Sequence, residues 1–151
     1  MVARRSAVAA TVGLGGYAIY QLALAAGAPL GRGAWDGTQT QLPTSLRLAS
    51  AAAIVVYGLA ALVVLRRAGF SIRWISPTVA RIGTWVLVVV LTLSALGNFL
   101  SQSPWERFLN GPVGLVLAAL CLIVARGAHG TIHPSSDAPK RLERSPIPGS
   151  V

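Results

Sequence analysis

The chain has 151 residues, of which 54% are hydrophobic and 11% charged, well short of the roughly 25% charged usual in a soluble domain. The net charge of +9 comes from thirteen basic and four acidic residues. They avoid four long stretches, so the basic loops of a polytopic membrane protein explain the excess better than a nucleic-acid partner does. The single cysteine, Cys121, excludes an internal disulfide and a CxxC redox pair, and within an apolar run it reads as a small buried hydrophobe.

In chain order, Arg4 and Arg5 precede the apolar run 7–27. A basic start before an apolar stretch also suits a signal peptide. The retained span is preferred, because about 21 residues cross a ~30 Å core. Gly13, Gly15 and Gly16 suggest a face for close helix contact. Residues 27–43 form a turn-rich loop containing Trp35 and Asp36. The second span is predicted at 44–65, with Arg47 snorkelling in its first turn, Arg66 and Arg67 at its end and Gly69 as a stop. Ser76-Pro77 is an N-cap and first-turn signature opening a third span at 77–100, whose Thr92 and Ser94 are expected to bond their own backbone.

The polar island from Asn98 to Arg107 reads as another helix start, with Ser103 as N-cap, Pro104 in the first turn and Glu106 completing a capping box. Residues 113–125 alone reach only about 20 Å, too short to cross. A fourth span at 104–126 is therefore expected, kinked at Pro112; the alternative is a short interfacial helix, 104–110, before a stubby span. Residues 127–151 read as a disordered tail with a basic cluster at Lys140, Arg141 and Arg144. His129 and His133 in that tail stand among Gly and Pro, and no metal site is expected of them.

Spans alternate sides, so ten basic residues share the side of the termini and three (Arg32, Arg47 and Arg107) share the other. That asymmetry predicts an all-α integral membrane four-helix bundle, residues 1–126, with both termini cytoplasmic. Twelve of the thirteen basic residues are Arg; with abundant Ala and Gly this suggests a GC-rich bacterial genome, hence the inner membrane. The orientation gathers Gln21, Arg32, Trp35, Asp36, Arg47, Asn98, Ser101, Ser103, Glu106 and Arg107 at the outer face, and Trp35, Asp36, Arg47, Asn98, Ser101, Ser103, Glu106 and Arg107 are the candidate contact residues of an outer polar cap. Glu106 with Arg47, and Asp36 with Arg32, are candidate ion pairs. The cap reads either as a structural lock or as a contact site for a ligand or partner.

The segments Gly27-Ala28-Pro29-Leu30-Gly31, Trp35, Leu42-Pro43 with Leu46-Arg47, and Asn98-x-x-Ser101-x-Ser103-x-x-Glu106-Arg107 with Pro112 resemble a group of small, uncharacterised four-helix bacterial integral membrane proteins. The resemblance covers residues 1–126 and implies the fold but no activity. Where such proteins show Trp-Gly-Gly, this chain has Trp35-Asp36-Gly37.

A non-enzymatic accessory, assembly or structural subunit of a membrane complex is expected, contacting lipids and other subunits or itself. The alternative is a small oligomeric transporter or a ligand- or lipid-binding protein using the outer cap. No nucleic acid, cofactor or catalytic residue is expected. No histidine lies in a span to hold haem or to activate a nucleophile beside Glu106.

Overall fold

A computed structural model describes residues 1–127, with the side chain of Asp36 excepted. The expectations for the tail beyond residue 127 and for that side chain lie outside the described residues. The described part is helical: α1 (Val2–Ala25), α2 (Thr44–Arg67), α3 (Pro77–Leu100) and α4 (Gly111–Gly127), with a π-helical turn, Glu106–Asn110, leading into α4. Four helical segments, the π turn counted with α4, are long and apolar enough to cross a membrane.

Two of the helix ends read from sequence have the expected chemistry. At the end of α2, Gly69 adopts φ +89°. Its N–H and that of Phe70 turn back to the Arg66 and Leu65 carbonyls at 3.2 and 3.1 Å, a glycine-terminated Schellman cap. Ser76 caps α3 by accepting from the Val79 N–H at 3.2 Å, with Pro77 in the first turn.

Other boundaries differ. The first helix begins at Val2 rather than Ala7, and Arg4 lies 4.6 Å over the Phe70 ring. It closes at Ala25, where Gly27 (φ +92°) builds a second Schellman cap with Ala28. The second helix runs two residues further than expected, through Arg67. Ahead of Pro112, which cannot donate to the Phe108 carbonyl, the chain inserts the π turn, and the Gly111 N–H reaches the Glu106 carbonyl five residues back.

The helices pack in a ring, α1 beside α2 and α4, and α3 completing the circle. The half nearest residues 2 and 127 is dense. Ala7, Ala10, Leu14, Val64, Leu117, Cys121 and Val124 form its core, with Cys121 fully buried as expected. Glycine sets the approach of neighbours: a Cβ on Gly114 would lie 3.3 Å from that of Ala95, and one on Gly13 would lie 2.5 Å from a Leu117 methyl. By contrast, Gly58 has open space beside it. Replacing Gly114 by Leu should therefore lower the melting temperature of the detergent-solubilised protein, whereas Gly58→Ala should leave it unchanged or raise it.

Candidate functional site

The opposite half, capped by residues 26–43 and 101–103, is built from polar contacts. The Ser103 hydroxyl donates to the Arg32 carbonyl at 3.0 Å and accepts from the Glu106 N–H at 3.5 Å. The expected capping box is relayed. The Ser103 N–H bonds the Ser101 hydroxyl oxygen at 3.1 Å, and that hydroxyl donates to Glu106 Oε2 at 2.5 Å. One extra serine lets the carboxylate sit deeper than a direct box would hold it, and Glu106 is only 7% exposed.

The first loop is fastened at several points. Gly31 N–H bonds the Thr40 carbonyl at 3.0 Å, Tyr20 Oη donates to the Leu30 carbonyl at 2.8 Å, and Asn110 Nδ2 donates to the Gly33 carbonyl at 2.9 Å. Trp35 adopts φ +53°, a left-handed conformation that costs a bulky residue on the order of 1–3 kcal/mol. Its indole holds it there, donating from Nε1 to the fully buried Ser50 hydroxyl at 3.2 Å.

Inside this cap all four helices surround a cavity of about 200 Å³. Tyr17, Tyr20 and Gln21 come from α1 and Tyr57 from α2; Ser94 and Asn98 come from α3, Glu106 and Asn110 from the π turn, and Trp35 from the loop. The Tyr17 and Tyr57 rings stack at 5.7 Å and divide the cavity from the packed half. Tyr17 Oη donates to the Asn110 carbonyl at 3.4 Å. The Gln21 amide lies beside the Tyr57 hydroxyl, and its Oε1 is buried without a hydrogen-bond partner. Outside the cavity, an apolar groove of about 590 Å³ runs between α1 and α4, floored by Gly13 and Gly16 and rimmed by Trp105 and Arg32.

Of the residues expected at the cap, Trp35, Asn98 and Glu106 line the cavity, and Ser101 and Ser103 brace Glu106. Two arginines serve helix ends. Where the sequence suggests Arg47 opposite Glu106, Arg47 Nε donates to the Ala25 carbonyl at 3.0 Å. Arg107 Nε donates to the Phe99 carbonyl at 3.0 Å from an exposed position. Asp36 contributes backbone to the short 3-10 turn Trp35–Gly37. Thr92 bonds its own backbone as expected, donating to the Val88 carbonyl at 2.7 Å. Ser94 lines the cavity instead of serving only its helix.

Sequence reasoning placed Gln21 at the outer face but missed Asn110 as a site residue, and it did not assemble Tyr17, Tyr20 and Tyr57 with Gln21 into one wall. The spacing of Tyr17, Tyr20 and Gln21, three and four apart, was the available signal. Among the described residues no group of three or more His, Cys, Asp or Glu side chains is placed to hold a metal ion.

Ser101→Ala removes both an acceptor for the Ser103 N–H and a donor to a buried carboxylate. It should cost about 1–3 kcal/mol in denaturant unfolding of the solubilised protein. A cost within that of an exposed substitution such as Gln102→Ala would show that the relay is not needed. No protein-family model, curated protein or solved structure matches this chain.

Proposed function

We propose that this is a non-enzymatic, multi-pass protein of the bacterial inner membrane, with both termini cytoplasmic, that binds a small ligand in the outer half of its helix bundle. The observation that supports it is the cavity ringed by all four helices, in which a buried glutamine keeps an acceptor without a partner. A fold selected for stability alone gains by filling such a space with apolar side chains, because an unsatisfied buried polar group costs roughly 1–3 kcal/mol. No histidine lies among residues 1–127 to pair with a nucleophile, which supports binding over chemistry.

A second reading, an accessory subunit of a membrane complex, draws on a separate observation. Gly58 and Gly97 are exposed on α2 and α3 with nothing within 4 Å, leaving flat helix surfaces for a neighbouring helix. Lipids contact the remaining apolar faces and fill the groove between α1 and α4.

Two measurements test these proposals. With single cysteines at the exposed positions Gln39 and Ser71, a membrane-impermeant maleimide should label Gln39→Cys in intact cells and Ser71→Cys only after permeabilisation; the reverse pattern would invert the topology. Native mass spectrometry of the gently extracted protein should show a small bound mass. That mass should be lost in Asn98→Leu and kept in Leu93→Ala, a change at an exposed position on the apolar surface. A second polypeptide at fixed stoichiometry, with no small bound mass, would favour the subunit reading.

A further inference from the structure

The apolar groove between α1 and α4 adjoins a second space at the loop end of the bundle. That recess, of about 410 Å³, is lined by Gly37, Gln102, Ser103 and Pro104. Arg32 and Trp105 line both the groove and the recess, so they stand where an apolar channel gives way to a polar one. The Ser103 hydroxyl holds the Arg32 carbonyl at 3.0 Å and fixes the backbone there. The Arg32 side chain is exposed, and among the described residues nothing accepts a hydrogen bond from its guanidinium or pairs with it. Trp105 is 62% exposed, as an aromatic anchor at the level of lipid head groups is.

The groove also has a definite depth. From Tyr20 to Gly13 it runs about 10 Å along α1. It ends near the middle of that helix, where a Cβ on Gly13 would lie 2.5 Å from a Leu117 methyl. The hydrocarbon of one leaflet is about 15 Å deep, half of the ~30 Å core. The groove therefore spans most of one leaflet and stops short of the other. Its walls include Leu109 and Val113, both exposed, and its floor at Gly16 is open, with nothing within 4 Å of a Cβ placed there.

We propose that this groove and recess together bind one phospholipid, an acyl chain lying between α1 and α4 and the phosphate paired with the Arg32 guanidinium. The proposal rests on the membrane reading above, concerns a site outside the cavity, and names the lipid by its anchor. A guanidinium matches a phosphate in charge and in the geometry of its donors. A phospholipid joins that phosphate to a chain confined to one leaflet, which is the order in which the recess, Arg32 and the groove follow one another. A transmembrane helix is a poorer occupant, because it would have to continue past Gly13, where α1 and α4 already meet.

The test uses the full-length chain, purified in a detergent that strips bound lipid and then mixed with equal amounts of dioleoylphosphatidylglycerol and dioleoylglycerol for native mass spectrometry. One phosphatidylglycerol per chain should be retained, at least tenfold more than dioleoylglycerol, which has the same chains and no phosphate. Glycerol 3-phosphate, which has the phosphate and no chain, should not be retained. Arg32→Gln and Gly16→Phe should each lower phosphatidylglycerol occupancy at least fivefold. Gly15→Phe should leave it unchanged, since Gly15 has equally open space but does not line the groove. All three variants should melt as the parent does, because none removes a described side-chain contact or meets an atom at the new Cβ. Equal retention of the two lipids, unchanged occupancy in Arg32→Gln, or equal loss in Gly15→Phe and Gly16→Phe would overturn the proposal. Retention of glycerol 3-phosphate as strong as that of the lipid, or a bound polypeptide lost in Gly16→Phe in place of lipid, would overturn it too. So would the absence of any lipid adduct; the membrane reading then still stands if the maleimide pattern holds. Asn98→Leu, which alters the cavity wall and not the groove, should keep the phospholipid and so separates the two sites.

Discussion

A helix that ends in apolar surroundings leaves its last four carbonyls without intrahelical donors, and in this bundle three such ends are answered by an arginine from another element. Arg47 of α2 reaches the Ala25 carbonyl of α1, Arg107 of the π turn reaches Phe99 of α3, and Arg67 of α2 reaches Ala125 of α4. Each contact places a cation at the negative end of a helix dipole while satisfying a carbonyl. The rest of the structure depends on these ends being closed, because the loops and the cavity are hung from them. The arginine excess that reads from sequence as a topology signal is thus also part of the scaffold.

The two halves of the bundle divide the work. One half is packed with Ala, Val, Leu and the fully buried Cys121, and glycines let the helices approach closely. The other gives up that packing for hydrogen bonds across the chain. Ser103 ties the π turn to Arg32, Asn110 ties it to Gly33, and Trp35 ties the loop to α2. A left-handed tryptophan and a glutamine oxygen without a partner are costs concentrated in that second half. Local departures from the best-packed arrangement gather where binding is expected to need them.

Much of the architecture was legible because the signals were local. Apolar runs, Gly69 as a stop and Ser76-Pro77 as a start each act within a few residues, and the structure shows them acting so. The first helix was set too late because Arg4 and Arg5 were read as a boundary, whereas charged side chains at a helix start project outward without ending it. The cap was legible as a place but not as a geometry. Charge alone suggests Arg47 as a partner for Glu106 and does not announce that an arginine beside a helix end also has carbonyls to satisfy, as Arg47 Nε does at Ala25. The π turn was hidden as well. Pro112 announces a missing donor but not whether the chain bends or widens in response.

The complete burial of Cys121 has a practical side. Its thiol lies among Leu117, Ala118 and Val124 in the packed half, shielded from any reagent that does not first separate the helices. The chain therefore carries its own silent reporter: alkylation at this one sulfur would count openings of the packed half, independently of anything that happens in the cavity above it.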